Sequence, residues 1–189
     1  MQGRSRVTIK DVDFSFENSL VRITANRNLP EVKLAGLSLG PFEEGTDYEV
    51  YYWAALQLEK AGIARLKEED RLDMAKLSKV QWTERIQTAG QVSKLPDFFY
   101  PKLRRSLLEL KKEIVKDPEK ISEYERFRRL TQDITNSRLR KIVSMASAPP
   151  QTENTLRNFT AEEKLLYDRL YRLIDKWRRQ ILECGGEEE

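Results

Sequence analysis

Residues 36–66, GLSLGPFEEGTDYEVYYWAALQLEKAGIARL, constrain the fold more than any other stretch, because they lead an alternating strand through Gly40-Pro41-Phe42 into a nearly all-apolar helix. Glu31 to Leu39 alternates through Val32, Leu34, Leu37 and Leu39, and Leu20 to Thr24 (LVRIT) does the same; period two is the signature of a strand with one buried face. Between them, Asn26-Arg27-Asn28-Leu29-Pro30 supplies turn residues, so a hairpin or meander is expected. The preceding DVDFSFENS reads either way: Phe14 and Phe16 alternate like a strand, while Asp11 could cap a short helix. So small a β region cannot bury a large core of its own and has to lean on the rest of the chain.

After the joint, Thr46-Asp47-Tyr48-Glu49 fits a capping box, which predicts a helix. Its apolar residues run from Tyr48 through Val50, Tyr51, Tyr52, Trp53, Ala54, Ala55 and Leu56 to Leu58. A helix apolar all round is one buried all round. Gly62 is placed to end it in the left-handed C′ conformation.

A second helix is expected over 73–88, limited by Gly90 and carrying Met74, Leu77, Val80, Trp82 and Ile86. In a third, Phe99, Leu103, Leu107, Leu110 and Ile114 make one stripe. Asp117-Pro118 suits N-cap and N1 of a fourth, running to about Ser147 with Tyr124, Phe127, Leu130 and Ile134 inward. Pro149-Pro150 marks a loop, and Thr160 to Glu163 is a second capping box. The last helix then shows a heptad-like seam through Tyr167, Leu170, Ile174, Trp177 and Ile181, suited to packing in a bundle. The expected fold is mainly α. A small N-terminal β-rich domain (1–45) precedes a larger helical-bundle domain (46–182, about five helices), and an acidic tail (183–189) is expected to be disordered.

The chain offers little for catalysis. It has no histidine, which removes the commonest general base near neutral pH and the commonest transition-metal ligand. Its one cysteine, Cys184, stands beside Gly185 and Gly186 and fits a reducing compartment. Gly36, Gly40 and Gly45 lack the spacing and the following Lys of a phosphate loop. Glu43-Glu44, Glu68-Glu69-Asp70 and Glu162-Glu163 fall at helix N-termini, where carboxylates favour the dipole. Neither an enzyme nor a cofactor or metal site is expected.

With 34 basic against 31 acidic residues, any basic face has to be local. Lys and Arg concentrate over 102–141, where Arg138, Arg140 and Lys141 are candidate phosphate contacts and a solvated helix face is the bland alternative. Trp53 reads as core. Tyr51, Tyr52, Trp177 and Ile181 are candidate subunit-interface residues, Trp177 standing among Arg172, Lys176, Arg178 and Arg179. MQGRSR is too short and polar for a signal peptide and no apolar run is long enough for a membrane span, so an intracellular protein without membrane association is expected.

The joint, through Leu39, Gly40, Pro41, Phe42, Gly45, Val50 and Trp53, resembles the core signature of the GINS family, subunits of the replicative helicase assembly. The likeness continues in Phe99-Tyr100, in Asp133-Ile134-Thr135-Asn136-Ser137-Arg138 and in Leu156-Arg157-Asn158-Phe159-Thr160, and covers most of 20–175. It implies the β-domain-first branch of the family, with Leu39 to Phe42 as the domain joint. It also implies a heterotetramer, two plus two, with a GINS subunit of opposite domain order. Further implied partners are the MCM helicase, a RecJ-like or Cdc-type companion and, beyond these, primase. Many family members carry Pro where this chain has Tyr51, and Pro at N1 starts a helix later than Thr46 does. The abundance of Glu, Lys and Arg favours an archaeal source, which sets the compartment as cytoplasm and nucleoid; a eukaryotic source would set the nucleus. The expected function is a non-catalytic scaffold at the replication fork, and the alternative is a stand-alone DNA-binding module using the basic helices of 102–141.

Overall fold

The computed structural model describes residues 8–34, 36–67, 71–87 and 91–182. The acidic tail 183–189 with Cys184, the carboxylates of 68–70, and Gly90 lie outside the described residues. The chain divides after Asp73 into two compact units, the first spanning Ile9–Asp73 and the second built from Met74 onward. The fold class is the expected one, a small N-terminal strand region followed by a helical bundle. The expected division after residue 45 is corrected, for a reason that lies in the strands.

In the first unit, β1 (Leu20–Ala25) is the central strand of an antiparallel sheet, flanked by β4 (Asp47–Tyr51) and β5 (Ala64–Leu66). Its register sets Val21 opposite Val50, and Ile23 between Tyr48 and Leu66, so the apolar residues of all three strands share a face. The hairpin of β2 (Val32–Leu34) and β3 (Leu37–Leu39) forms a separate two-stranded ladder. The ambiguous N-terminal stretch is a helix, α1 (Ile9–Glu17), which buries Val12 and Phe16 and exposes Phe14.

Asp47 to Glu49 is therefore strand, with Thr46 leading into it, and the four residues are not a helix cap. The Thr46 carbonyl accepts from Ala25 N at 3.0 Å, and Thr24 Oγ1 donates to Asp47 Oδ1 at 2.8 Å, so β1 already satisfies the groups a helix start would use. The helix, α2 (Tyr52–Lys60), begins after Tyr51, which holds the N-cap position in extended geometry. That is the later start that proline at the Tyr51 position implies.

α2 packs on the apolar face of its own sheet, bringing fully buried Ala54 and Ala55 against β1 and β4. The sheet thus supplies much of the burial that the sequence assigned to a surrounding bundle. Trp53 is only partly buried against this core. Gly62 ends the helix as expected: at φ +67° it lets Ile63 N donate to Leu58 O and Gly62 N to Glu59 O, the paired bonds of a Schellman motif.

Leu39 to Phe42 does not join the units. It is an internal turn that returns the chain from β3 toward β4. Phe42 exchanges backbone hydrogen bonds with Leu29 at 2.8 and 2.9 Å, and its ring meets Tyr48 edge-on at 4.9 Å. Gly40 has φ +92°, and a Cβ there would lie 3.1 Å from both the ring and the backbone nitrogen of Phe42, so only glycine fits without strain. The Gly40–Pro41 peptide is cis.

The second unit packs α3 (Met74–Ile86), α4 (Phe99–Lys116) and α7 (Ala161–Leu182) on the long α5 (Ile121–Ser147). A one-turn α6 (Glu153–Leu156) lies in the connection before α7. Asp117 Oδ1 accepts from Glu119 N at 3.1 Å and starts a 3-10 turn, Pro118–Lys120, ahead of α5.

Two expected stripes need correcting. On α3, Leu77, Val80 and Glu84 face inward, while Trp82 and Ile86 are exposed; Trp82 lies nearly opposite Val80 round the helix. On α4 only the first turns, with Phe99 and Leu103, are buried, and Leu107, Leu110 and Ile114 are half-buried. On α5, Phe127 and Ile134 are buried as expected. The second capping box forms: Thr160 Oγ1 accepts from Glu163 N at 3.3 Å, and Glu163 Oε2 accepts from Thr160 N at 3.0 Å.

Candidate functional site

The densest chemistry in the second unit is a buried cluster of charges. Arg138 on α5 has no exposed surface. Its Nε and Nη2 donate to the two oxygens of Glu163 on α7, the second bond at 2.6 Å, in the two-pronged geometry guanidinium makes with carboxylate. Its Nη1 donates to Glu84 Oε2 on α3 at 2.9 Å and to the Ser93 carbonyl at 2.8 Å. Ser93 Oγ donates to the same Glu84 oxygen at 2.6 Å. Lys141, one turn along α5, pairs with Glu84 Oε1 at 2.7 Å and donates to the Glu84 carbonyl at 2.9 Å. Tyr100 on α4 donates to Glu163 Oε1 at 2.7 Å.

Two cations and two carboxylates balance, and the cluster ties all four long helices of the unit. Its electrostatics are those of a structural network. Burial pushes the Glu84 carboxyl up, but hydrogen bonds from Lys141 and Ser93 and the charge of Arg138 outweigh it and hold the group below its ordinary value of 4.5. Burial, and next the Glu163 carboxylate, raise the Tyr100 hydroxyl, so it stays protonated as a donor. Burial alone would lower Arg138, yet Glu163 and Glu84 raise it further.

A Glu84 carboxyl lowered on folding contributes stability that is complete above its unfolded value, and this contribution is lost as pH falls through the lower, folded value. The melting temperature followed by circular dichroism should therefore drop below pH 4.5. In Glu84→Gln that acid limb should be shallower; an acid limb of unchanged steepness would refute the linkage to Glu84.

This cluster corrects the candidate phosphate contacts. Arg138 and Lys141 are buried and ion-paired, and of the three only Arg140 is exposed. Tyr52 is likewise removed from the interface candidates, because it is buried with its ring 4.3 Å from that of Phe16. Tyr51 stays at the surface.

Trp177 is 60% exposed and Ile181 55%. They continue the seam whose earlier members are Tyr167, buried with Ile142, Met145 and Phe159, and Leu170 and Ile174, partly buried against that core. α5 ends at Ser147, whose carbonyl accepts from Arg178 in the last turns of α7.

Two cavities carry several polar or charged side chains in their linings. One of about 750 Å³ in the first unit is lined by Thr24, Asp47, Arg65, Lys67 and Arg71. Its charges are largely spent in pairs, Lys67 with Asp47 and Arg71 with Glu59, the Lys67 and then the Thr24 hydrogen bond holding Asp47 below the usual carboxylate range. Another, of about 560 Å³ in the second unit, is lined mostly by amides and hydroxyls, including Thr83, Gln87, Asn154 and Thr155. Among the described residues no group of histidine, cysteine or carboxylate side chains is placed to hold a metal ion, and no helix is long and apolar enough to cross a membrane.

The sequence reading missed Glu84 and assigned Glu163 only to a cap. A signal was present: Glu84 continues the inward line of Leu77 and Val80, and Arg138 that of Phe127 and Ile134. Charges on an apolar line of each of two helices point to a buried pair.

Comparison with known proteins supplies what the site chemistry cannot. Residues 71–182 match the family model described as the GINS complex protein helical bundle domain, and residues 8–67 match the PSF2 N-terminal domain. The human protein named DNA replication complex GINS protein PSF2 is 30% identical over 132 residues, which cover 70% of this chain and 67% of that protein.

Proposed function

This chain belongs to the GINS family of DNA replication proteins, and from that premise we propose that it is a non-catalytic scaffold that assembles with GINS subunits of opposite domain order, two plus two. The observation that carries the reading is the α7 seam. Its first half packs against the unit's own core, Tyr167 buried and Leu170 and Ile174 partly buried, whereas Trp177 and Ile181, next in the same heptad register, are exposed, with Leu173 exposed beside them. A seam whose later residues its own bundle leaves uncovered fits a helix of another subunit, and burial contributes roughly 25 cal/mol per Å² before the costs of association. Tyr51, at the N-cap of α2, is a further candidate contact.

In this reading the first unit presents a docking surface to fork proteins, with the MCM helicase and a RecJ-like or Cdc-type companion as the expected partners and primase beyond them. The protein then acts where chromosomal DNA is copied. The stand-alone DNA-binding alternative loses support, since Arg138 and Lys141 are committed to the interior.

Native mass measurement tests the proposal. Mixed with a GINS subunit of opposite domain order, the chain should form a complex of equal stoichiometry, and Trp177→Asp with Ile181→Asp should dissociate it while the isolated chain melts as before. Failure of the mixture to form a complex of equal stoichiometry would refute the reading.

A further inference from the structure

α4 carries another exposed surface, and its chemistry differs from that of the α7 seam. Phe99 and Leu103 turn inward, but about 100° round the helix Arg104, Leu108, Lys111 and Val115 recur at i, i+4, i+7 and i+11, and all four are exposed. Leu108 is 55% and Val115 85% accessible. Lys112 and Lys116, also exposed, widen the same strip on one side.

The carboxylates of α4 do not neutralise it. Glu109 accepts from Arg105 at 2.6 Å, and Glu113 pairs with Lys120 at 2.6 Å. Among the described residues no carboxylate pairs with Lys111, Lys112 or Lys116. Exposed aliphatic residues two turns apart, set among lysines, combine two requirements that a partner has to meet together: apolar side chains at matching helical spacing, and negative charge beside them.

We infer that this face of α4 docks an acidic amphipathic helix of another protein, which seats apolar residues on Leu108 and Val115 and carboxylates against Lys111, Lys112 and Lys116. Nucleic acid fits the strip less well. Leu108 and Val115 offer nothing to a phosphate backbone, and the aromatic residues of α4 itself are engaged in the interior, Phe99 by burial and Tyr100 by its bond to Glu163. The inference is independent of the α7 seam and survives if the mixed-subunit complex fails to form.

The test titrates the full chain against three labelled probes by fluorescence anisotropy. They are a synthetic helix with leucine at heptad positions and glutamate elsewhere, a scrambled peptide of the same composition, and a single-stranded oligonucleotide. The patterned peptide should bind about tenfold more tightly than the scrambled one, and Leu108→Ser and Lys111→Glu should each weaken it by about tenfold without moving the melting temperature. Equal binding of the two peptides, tighter binding of the oligonucleotide, insensitivity to both substitutions, or no binding would each overturn the inference.

Discussion

Arg138→Ala is expected to destabilise the helical unit by about 3–5 kcal/mol, measured by urea unfolding followed with circular dichroism. The cost has a specific origin. Removing the guanidinium leaves Glu84 and Glu163 buried with only Lys141 between two negative charges, and it takes away the donors that reach the Ser93 carbonyl and both carboxylates. Arg138→Lys should recover only part of the loss, because an ammonium is a point charge and cannot span Glu163 and Glu84 with a planar fork. A cost below about 1 kcal/mol, the range of a solvated surface pair, would show that the cluster is open to water and does not hold the helices together.

Phe42→Ala should cost the N-terminal unit about 3–5 kcal/mol, the second large effect. The ring is 2% exposed and packs with Leu39, Val50 and Ala54 in one core. The loss should appear as faster amide exchange in β1 and in α2, the elements that share this core. Phe14→Ala is the matched control, since that ring is largely exposed on α1 and its removal should stay within about 0.5 kcal/mol. If the two substitutions cost the same, the turn at Gly40 to Phe42 is not the anchor its burial indicates.

Local signals were read correctly wherever the neighbouring residues along the chain supply the partner. Gly62 ends α2 because its bonds go back into its own helix, and Thr160 caps α7 because Glu163 lies three residues on. The same Thr-x-x-Glu pattern at Thr46 to Glu49 failed because β1, more than twenty residues earlier, takes those groups into a ladder. β5 was missed for a related reason: Ala64–Leu66 is too short to show a period, and only its pairing with Ile23 to Ala25 makes it a strand.

The candidate sites divide the same way. Composition and periodicity could exclude histidine chemistry and mark Trp177 and Ile181 as apolar seam positions. They could not tell that Arg138 is inside and Arg140 outside, since the two lie two residues apart on one helix and differ only in the face that α3 and α7 cover.

By itself the sequence determined the fold class, the family resemblance and the order of the two regions, because strand alternation, helix stripes and the Leu-Gly-Pro-Phe turn are properties of a few contiguous residues. The tertiary structure alone decided that the division falls after Asp73, that α2 is buried by its own sheet, and that Arg138 and Lys141 neutralise Glu84 and Glu163 in the interior. Each of these depends on pairing across long separations along the chain. A segment's own pattern says which face seeks cover and leaves open which distant element covers it.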